Sequence, residues 1–203
     1  MAKLIALDVA ILPPPDISRR AVELSAALPE EGSQGLRLDH EHLPHITLTQ
    51  QFVREDELDL AFEQIDSVLR TLAPPRIVAT GAGKGGHTLW IAIERTPELT
   101  SLHEQLMEAL RGVERPGGTP AAFFGGDGRV GDVLWVSGYR LKSSFGEFLP
   151  HITLGHGAEP PAVEPFAFDA TTVAACHLGR FCSCRRVVRR WTLQATAASR
   201  PRS

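Results

Sequence analysis

Two histidine–threonine pairs are the residues in this chain best suited to chemistry. Leu43-Pro44-His45-Ile46-Thr47-Leu48 and Leu149-Pro150-His151-Ile152-Thr153-Leu154 are the same six residues, one set in each half of a 203-residue protein. Ile, Thr and Leu after a proline that fixes φ read as strand, and in a strand the side chains at i and i+2 share a face. Each hexapeptide therefore presents a His and a Thr together. Ile46, Leu48, Ile152 and Leu154 point to the opposite face, where they anchor the strand in a core. An unperturbed imidazole titrates near about 6.5, so two of them facing one cavity can divide acid and base work near neutral pH. A cyclic phosphodiester suits such a pair. The neutral His takes a proton from attacking water, and the protonated His delivers one to the departing ribose oxygen. Each Thr hydroxyl can donate to a non-bridging phosphate oxygen. No metal is needed, and the residues alone leave open which imidazole is the acid.

His45-Ile46-Thr47-Leu48 and His151-Ile152-Thr153-Leu154 match a paired H-h-S/T-h signature, h being apolar. On these motifs the chain resembles the 2H phosphoesterase superfamily, in particular its branch of RNA 2′,3′-cyclic phosphodiesterases, often labelled 2′-5′ RNA ligases. Length, motif separation and element order extend the likeness over nearly the whole chain. The resemblance implies a bilobal fold around a central water-filled cleft. It also implies metal-independent hydrolysis of a 2′,3′-cyclic phosphate to a 2′-phosphate, with reversible ligation of RNA ends as a further activity. His45 would be the acid and His151 the base, with Thr47 and Thr153 on the phosphate. No cofactor is implied.

The elements that must position these pairs are legible as hydrophobic periodicity. Residues 3–11 read as a strand, and Asp16 as the cap of a helix over 17–28. A strand over 45–53 leads into a helix over 55–72, stopped by Pro74-Pro75. Strands over 76–80 and 88–94 form a hairpin around Gly81-Ala82-Gly83-Lys84-Gly85-Gly86. That loop spells G-x-G-x-x-G, but a dinucleotide fingerprint must open a helix, and His87-Thr88-Leu89-Trp90-Ile91 is strand-like. Thr96-Pro97 starts a helix over 97–111. Residues 112–132 hold seven glycines and two prolines, which reads as a mobile loop or a distorted hairpin, a candidate lid. Strands are expected over 133–139, 166–178 and 186–194, and a disordered tail over 197–203. The sum is an α+β protein, two antiparallel sheets with outer helices, in a single bilobal domain spanning 1–203.

Composition bounds the partners. A net charge of −3 argues against coating long double-stranded nucleic acid, which relies on many cations neutralising many phosphates. A small nucleotide or an RNA terminus bearing a cyclic phosphate remains suitable. Three cysteines late in the chain and the lack of a signal-like N-terminus point to a reducing, cytoplasmic setting. The apolar run from Leu4 to Leu12 is broken by Asp8 and ends in three prolines, which suits a buried strand and not a membrane span. A monomer is expected.

Weaker candidates surround the hexapeptides. Lys142-Ser143-Ser144-Phe145 offers a cation and hydroxyls near a cleft mouth, and Tyr139, Phe145 and Phe148 are aromatics able to stack on a base. Core packing explains each of these at least as well. His40 and His42 tempt a metal reading with His45, but no acidic residue near either hexapeptide closes a metal pattern. The residues therefore predict no metal ligands. Cys176, Cys182 and Cys184 read as buried, reduced thiols, the C-x-C placing two sulfurs on one strand face. Arg180, Arg185, Arg186, Arg189 and Arg190 read as a solvated sheet edge that can also guide an RNA end. The rival to a cyclic phosphodiesterase is a module that binds a nucleotide or RNA end without turnover, and a metal-dependent hydrolase ranks third.

Overall fold

The structure is a computed structural model that describes residues 2–194. The expected tail over 197–203 lies outside those residues. Eight strands run in chain order: β1 Leu4–Ile11, β2 Ile46–Arg54, β3 Arg76–Gly85, β4 Thr88–Ile93, β5 His151–His156, β6 Phe166–Asp169, β7 Thr172–Leu178 and β8 Cys184–Thr192. Four helices accompany them: α1 Pro15–Ala26, α2 Leu58–Leu69, α3 Pro97–Ala109 and α4 Val130–Lys142.

The strands form two four-stranded antiparallel sheets, ordered β2-β1-β7-β8 and β5-β4-β3-β6. Each hexapeptide strand is thus the edge of its sheet, and the two edges, β2 and β5, approach each other. Ile46, Leu48, Ile152 and Leu154 are all fully buried, in one core that takes residues from both sheets and from α1, α2 and α3. The helices cross between the halves: α1 packs on β5 and α3 on β2.

Several expectations are corrected. Residues 133–139 are not a strand but lie within α4. Val and Trp favour extended chain, yet buried Asp132, Val136 and Tyr139 recur at helical spacing, and the Asp132 carboxylate accepts the Arg129 N–H at 2.9 Å, closing the first turn. The expected strand over 166–178 is two strands in different sheets, separated at Ala170-Thr171. Asp16 does not cap α1. Pro14 occupies that position, and Asp16 sits in the first turn, where its charge suits the helix N-terminus. The glycine-rich segment before α4 is neither a hairpin nor an open loop. It folds into short 3-10 turns at Pro120–Ala122 and Phe124–Gly126, pinned by the buried Phe123, whose ring meets Phe52 edge-on at 5.9 Å.

The other glycine cluster also has a packing reason. β3 runs to Gly85, and the hairpin turn is only Gly86-His87, with Gly86 at φ +60°. A Cβ at Gly83 or Gly85 would collide with the ring of Trp90 on the neighbouring strand. The glycines are therefore a seat for an indole. Among the described residues no helix is long and apolar enough to cross a membrane.

Candidate active site

The two hexapeptides adopt the same local geometry. His45 Nδ1 lies 2.7 Å from the Leu43 carbonyl, and His151 Nδ1 lies 2.7 Å from the Leu149 carbonyl. A carbonyl only accepts, so Nδ1 carries the proton in both rings and Nε2 is the nitrogen left for chemistry. The proline at the second position of each hexapeptide helps set the extended approach that turns the ring back on its own chain. The two imidazoles are close enough for a charge on His45 to be felt by His151.

Their surroundings differ. Asp8, the one charged residue of β1, is fully buried beside the first pair. Its Oδ2 accepts the Thr47 hydroxyl and the Gln50 amide, each at 2.8 Å, and lies 3.8 Å from His45 Nε2. Burial pushes the Asp8 carboxyl up, opposed by the His45 charge and by the bonds from Gln50 and Thr47. The Gln50 carbonyl oxygen accepts from Trp135 Nε1 on α4 at 2.9 Å, so a polar chain runs from an exposed indole down to His45. His45 itself keeps only about a tenth of its side chain exposed.

The second pair has an aromatic neighbour in place of the acid. Trp90 stands opposite Thr153 in the register of β4 and β5, and its ring centroid is 5.1 Å from that of His151. Burial holds the His151 imidazole below its ordinary value, the Leu149 carbonyl partly offsets this, and the His45 charge lowers it further. A neutral His151 is thereby favoured near neutral pH.

The weaker candidates take the following places. Phe148 is buried and stacked on His103, centroids 4.0 Å apart, and Phe145 meets the same imidazole edge-on. Ser144 is buried and donates to the Arg140 carbonyl. Tyr139 is buried within α4, while Lys142 is exposed at the end of that helix. His40 is exposed, and His42 is half-buried with its Nδ1 2.9 Å from Asp39. β8 is indeed a sheet edge. Arg185 pairs with Glu41 and Asp127, and Arg189 with Asp66. The two sulfurs of the C-x-C do not share a strand, because Cys182 lies in a turn at φ +52° and only Cys184 is in β8.

One neighbour of the site is not legible in the local sequence. Sequence distance hides the acid that accompanies the first hexapeptide. Asp8, His45 and Cys184 each place a ligand atom within 4.8 Å of the others. Asp8 is 37 positions before His45, but a lone carboxylate in an otherwise apolar strand is a signal, since such groups are seldom buried without a partner. Trp90 carries a similar signal, a large aromatic alternating with core residues and opposite glycines.

Comparison with known proteins shows the family and the fold. The family model of the 2′-5′ RNA ligase superfamily matches residues 13–178. Among solved structures, TT0787 of Thermus thermophilus is similar with a TM-score of 0.64 at 20% identity, covering 94% of this chain and 99% of that one. E. coli LigT complexed with NADP+ gives 0.60 at 18% identity, with 94% and 99% covered. E. coli LigT complexed with 3′-AMP gives 0.57 at 18%, with 95% and 99% covered. A search of curated proteins finds no match. The family match over most of the chain, with both hexapeptides inside it, means that this protein belongs to the 2′-5′ RNA ligase superfamily.

Proposed function

We propose that the protein is a metal-independent cyclic phosphodiesterase that opens 2′,3′-cyclic phosphates of short RNA ends or nucleotides to 2′-phosphates. The observation that carries this reading is the pair of imidazoles with identical Nδ1 locks and unlike neighbours. His151, kept neutral by burial, accepts a proton from water at Nε2 as the water oxygen bonds to phosphorus. His45, beside the Asp8 carboxylate, delivers the Nε2 proton to the 3′ oxygen as its bond to phosphorus breaks. Solvent then restores both protonation states. Thr153 donates to a phosphate oxygen. Thr47 can do so only by releasing Asp8, to which its hydroxyl now donates. Trp90, beside His151, offers the face on which a base can stack. The solved E. coli LigT complexes with 3′-AMP and ATP hold small nucleotides, which supports a substrate of that size here. Phosphorus NMR of the product from a 2′,3′-cyclic nucleotide tests the reading. A 2′-phosphomonoester alone is expected, and a 3′-phosphomonoester would overturn the assignment of the leaving oxygen.

A further inference from the structure

Cys184 has no part in the reaction just described, yet it sits against its acid. It is fully buried at the start of β8, next to the Cys176 thiol. Its backbone carbonyl accepts the Leu43 N–H at 3.0 Å, and Leu43 in turn holds His45 Nδ1. The strand that carries the sulfur is thus tied to the residue that orients the imidazole. Across the same space stands Asp8, and one of its oxygens, Oδ1, is buried without any hydrogen-bond partner. An orphaned carboxylate oxygen of this kind costs free energy unless something occupies the space it faces.

We propose that Asp8, His45 and Cys184 form an inhibitory zinc site that shuts the enzyme by taking the lone pair of His45 Nε2. One carboxylate oxygen, one imidazole nitrogen and one sulfur make a three-ligand set with a position left for water, a set that suits zinc better than magnesium or calcium. Zinc ligands stand roughly 3.3–3.8 Å apart around the ion. His45 Nε2 and Asp8 Oδ2 are already 3.8 Å apart, and all three donors lie within 4.8 Å, so closing on the ion needs movement of the order of 1 Å. The Leu43 carbonyl bond presents His45 in the required tautomer, as an outer hydrogen bond does for metal-binding histidines. On binding, the Cys184 thiol releases its proton to solvent and His45 ligates as the neutral ring. The dication is then balanced by one thiolate and one carboxylate. With zinc bound, Nε2 has no proton to give and the reaction stops. The effect on turnover rests on the proposed role of His45, whereas the site itself does not.

Cobalt(II) titration of metal-free protein tests this without substrate. One equivalent is expected to bind with a near-ultraviolet thiolate-to-cobalt band and to be displaced by zinc. Cys184→Ser, and Cys184→Ala as a second variant, should abolish that band and weaken zinc by more than the roughly 10–100-fold that loss of an outer hydrogen-bond partner costs. Asp8→Asn should weaken zinc while keeping the band, and Cys182→Ser should change neither. In hydrolysis assays Cys184→Ser should keep the basal rate of the parent and lose the inhibition by zinc. A cobalt complex with no thiolate band, a band that survives in both Cys184 variants, or folded protein that binds no zinc would each overturn the proposal. A parent that binds cobalt through Cys184 but hydrolyses no cyclic phosphate would uphold the site and remove the reaction.

Discussion

Leu48 and Leu154, the last residues of the two hexapeptides, are held by equivalent bonds from opposite helices. The Leu48 carbonyl accepts from His103 Nδ1 on α3 at 2.6 Å, and the Leu154 carbonyl accepts from Ser25 Oγ on α1 at 2.5 Å. Both strands are sheet edges, and their backbone groups would otherwise be buried without partners. The two helices that cross between the halves therefore fix the two strands carrying the imidazoles.

Ser25→Ala removes one of these bonds and also the acceptor for the Leu38 N–H, 2.9 Å away. A loss of about 1–3 kcal/mol in urea unfolding is expected. A change below about 0.5 kcal/mol would show that the crossing bond does not hold β5.

Acid should destabilise the fold through His103. Its Nδ1 donates to Leu48 and its Nε2 accepts the Phe145 N–H at 2.8 Å, an arrangement only the neutral ring can make. Burial pushes the His103 imidazole down, as it does His156 and His177. The unfolded chain, titrating near about 6.5, binds these protons more readily. Stability is thus complete above that pH and falls as the pH drops below it toward the depressed native values. Urea midpoints measured between neutrality and mild acid should fall with pH, and His103→Gln should flatten the slope. A midpoint unchanged over that window would contradict the neutral buried ring.

The unlike neighbours of the two hexapeptide histidines give a spectroscopic prediction. His151 should titrate below about 6.5 by NMR, with burial as the main cause and the His45 charge as a further one. In His45→Gln the His151 midpoint should move up without reaching the ordinary value, because burial remains. A midpoint that is unmoved or falls would show that the two rings do not face each other.

Gly83 should be intolerant of any side chain. A methyl there overlaps the Trp90 indole, which lies against His151. Gly83→Ala is expected to cost about 1–3 kcal/mol through overpacking and to lower kcat/KM by displacing the indole. Wild-type stability in that variant would show that Trp90 has room to move.

The paired strands, the α+β class and the four hexapeptide residues are legible in the sequence because a period-2 pattern and a perfect repeat are local properties of the chain. Leu48 and Leu154 can be placed in the core on that basis, but not the bonds to His103 and Ser25, which join residues 55 and 129 positions apart. Asp8 is hidden for the same reason. Its meaning depends on β1 lying beside β2, not on its sequence neighbours. α4 reads as strand because Val133, Trp135 and Val136 favour extended chain intrinsically, and only packing of Val136 and Tyr139 decides for helix. Phe145 and Phe148 read as a stacking surface for a base, and only the fold shows that His103 reaches both from α3.

Hydrolysis of 2′,3′-cyclic nucleotides across pH in the presence of EDTA, for the parent, His45→Ala and His151→Ala, tests the paired acid–base assignment most directly. A bell-shaped kcat/KM profile is expected in the parent, with the rate undiminished by the chelator and lowered by about 10²–10⁴-fold in each variant. Nucleotide binding with no turnover in the parent, or turnover abolished by EDTA, would contradict it.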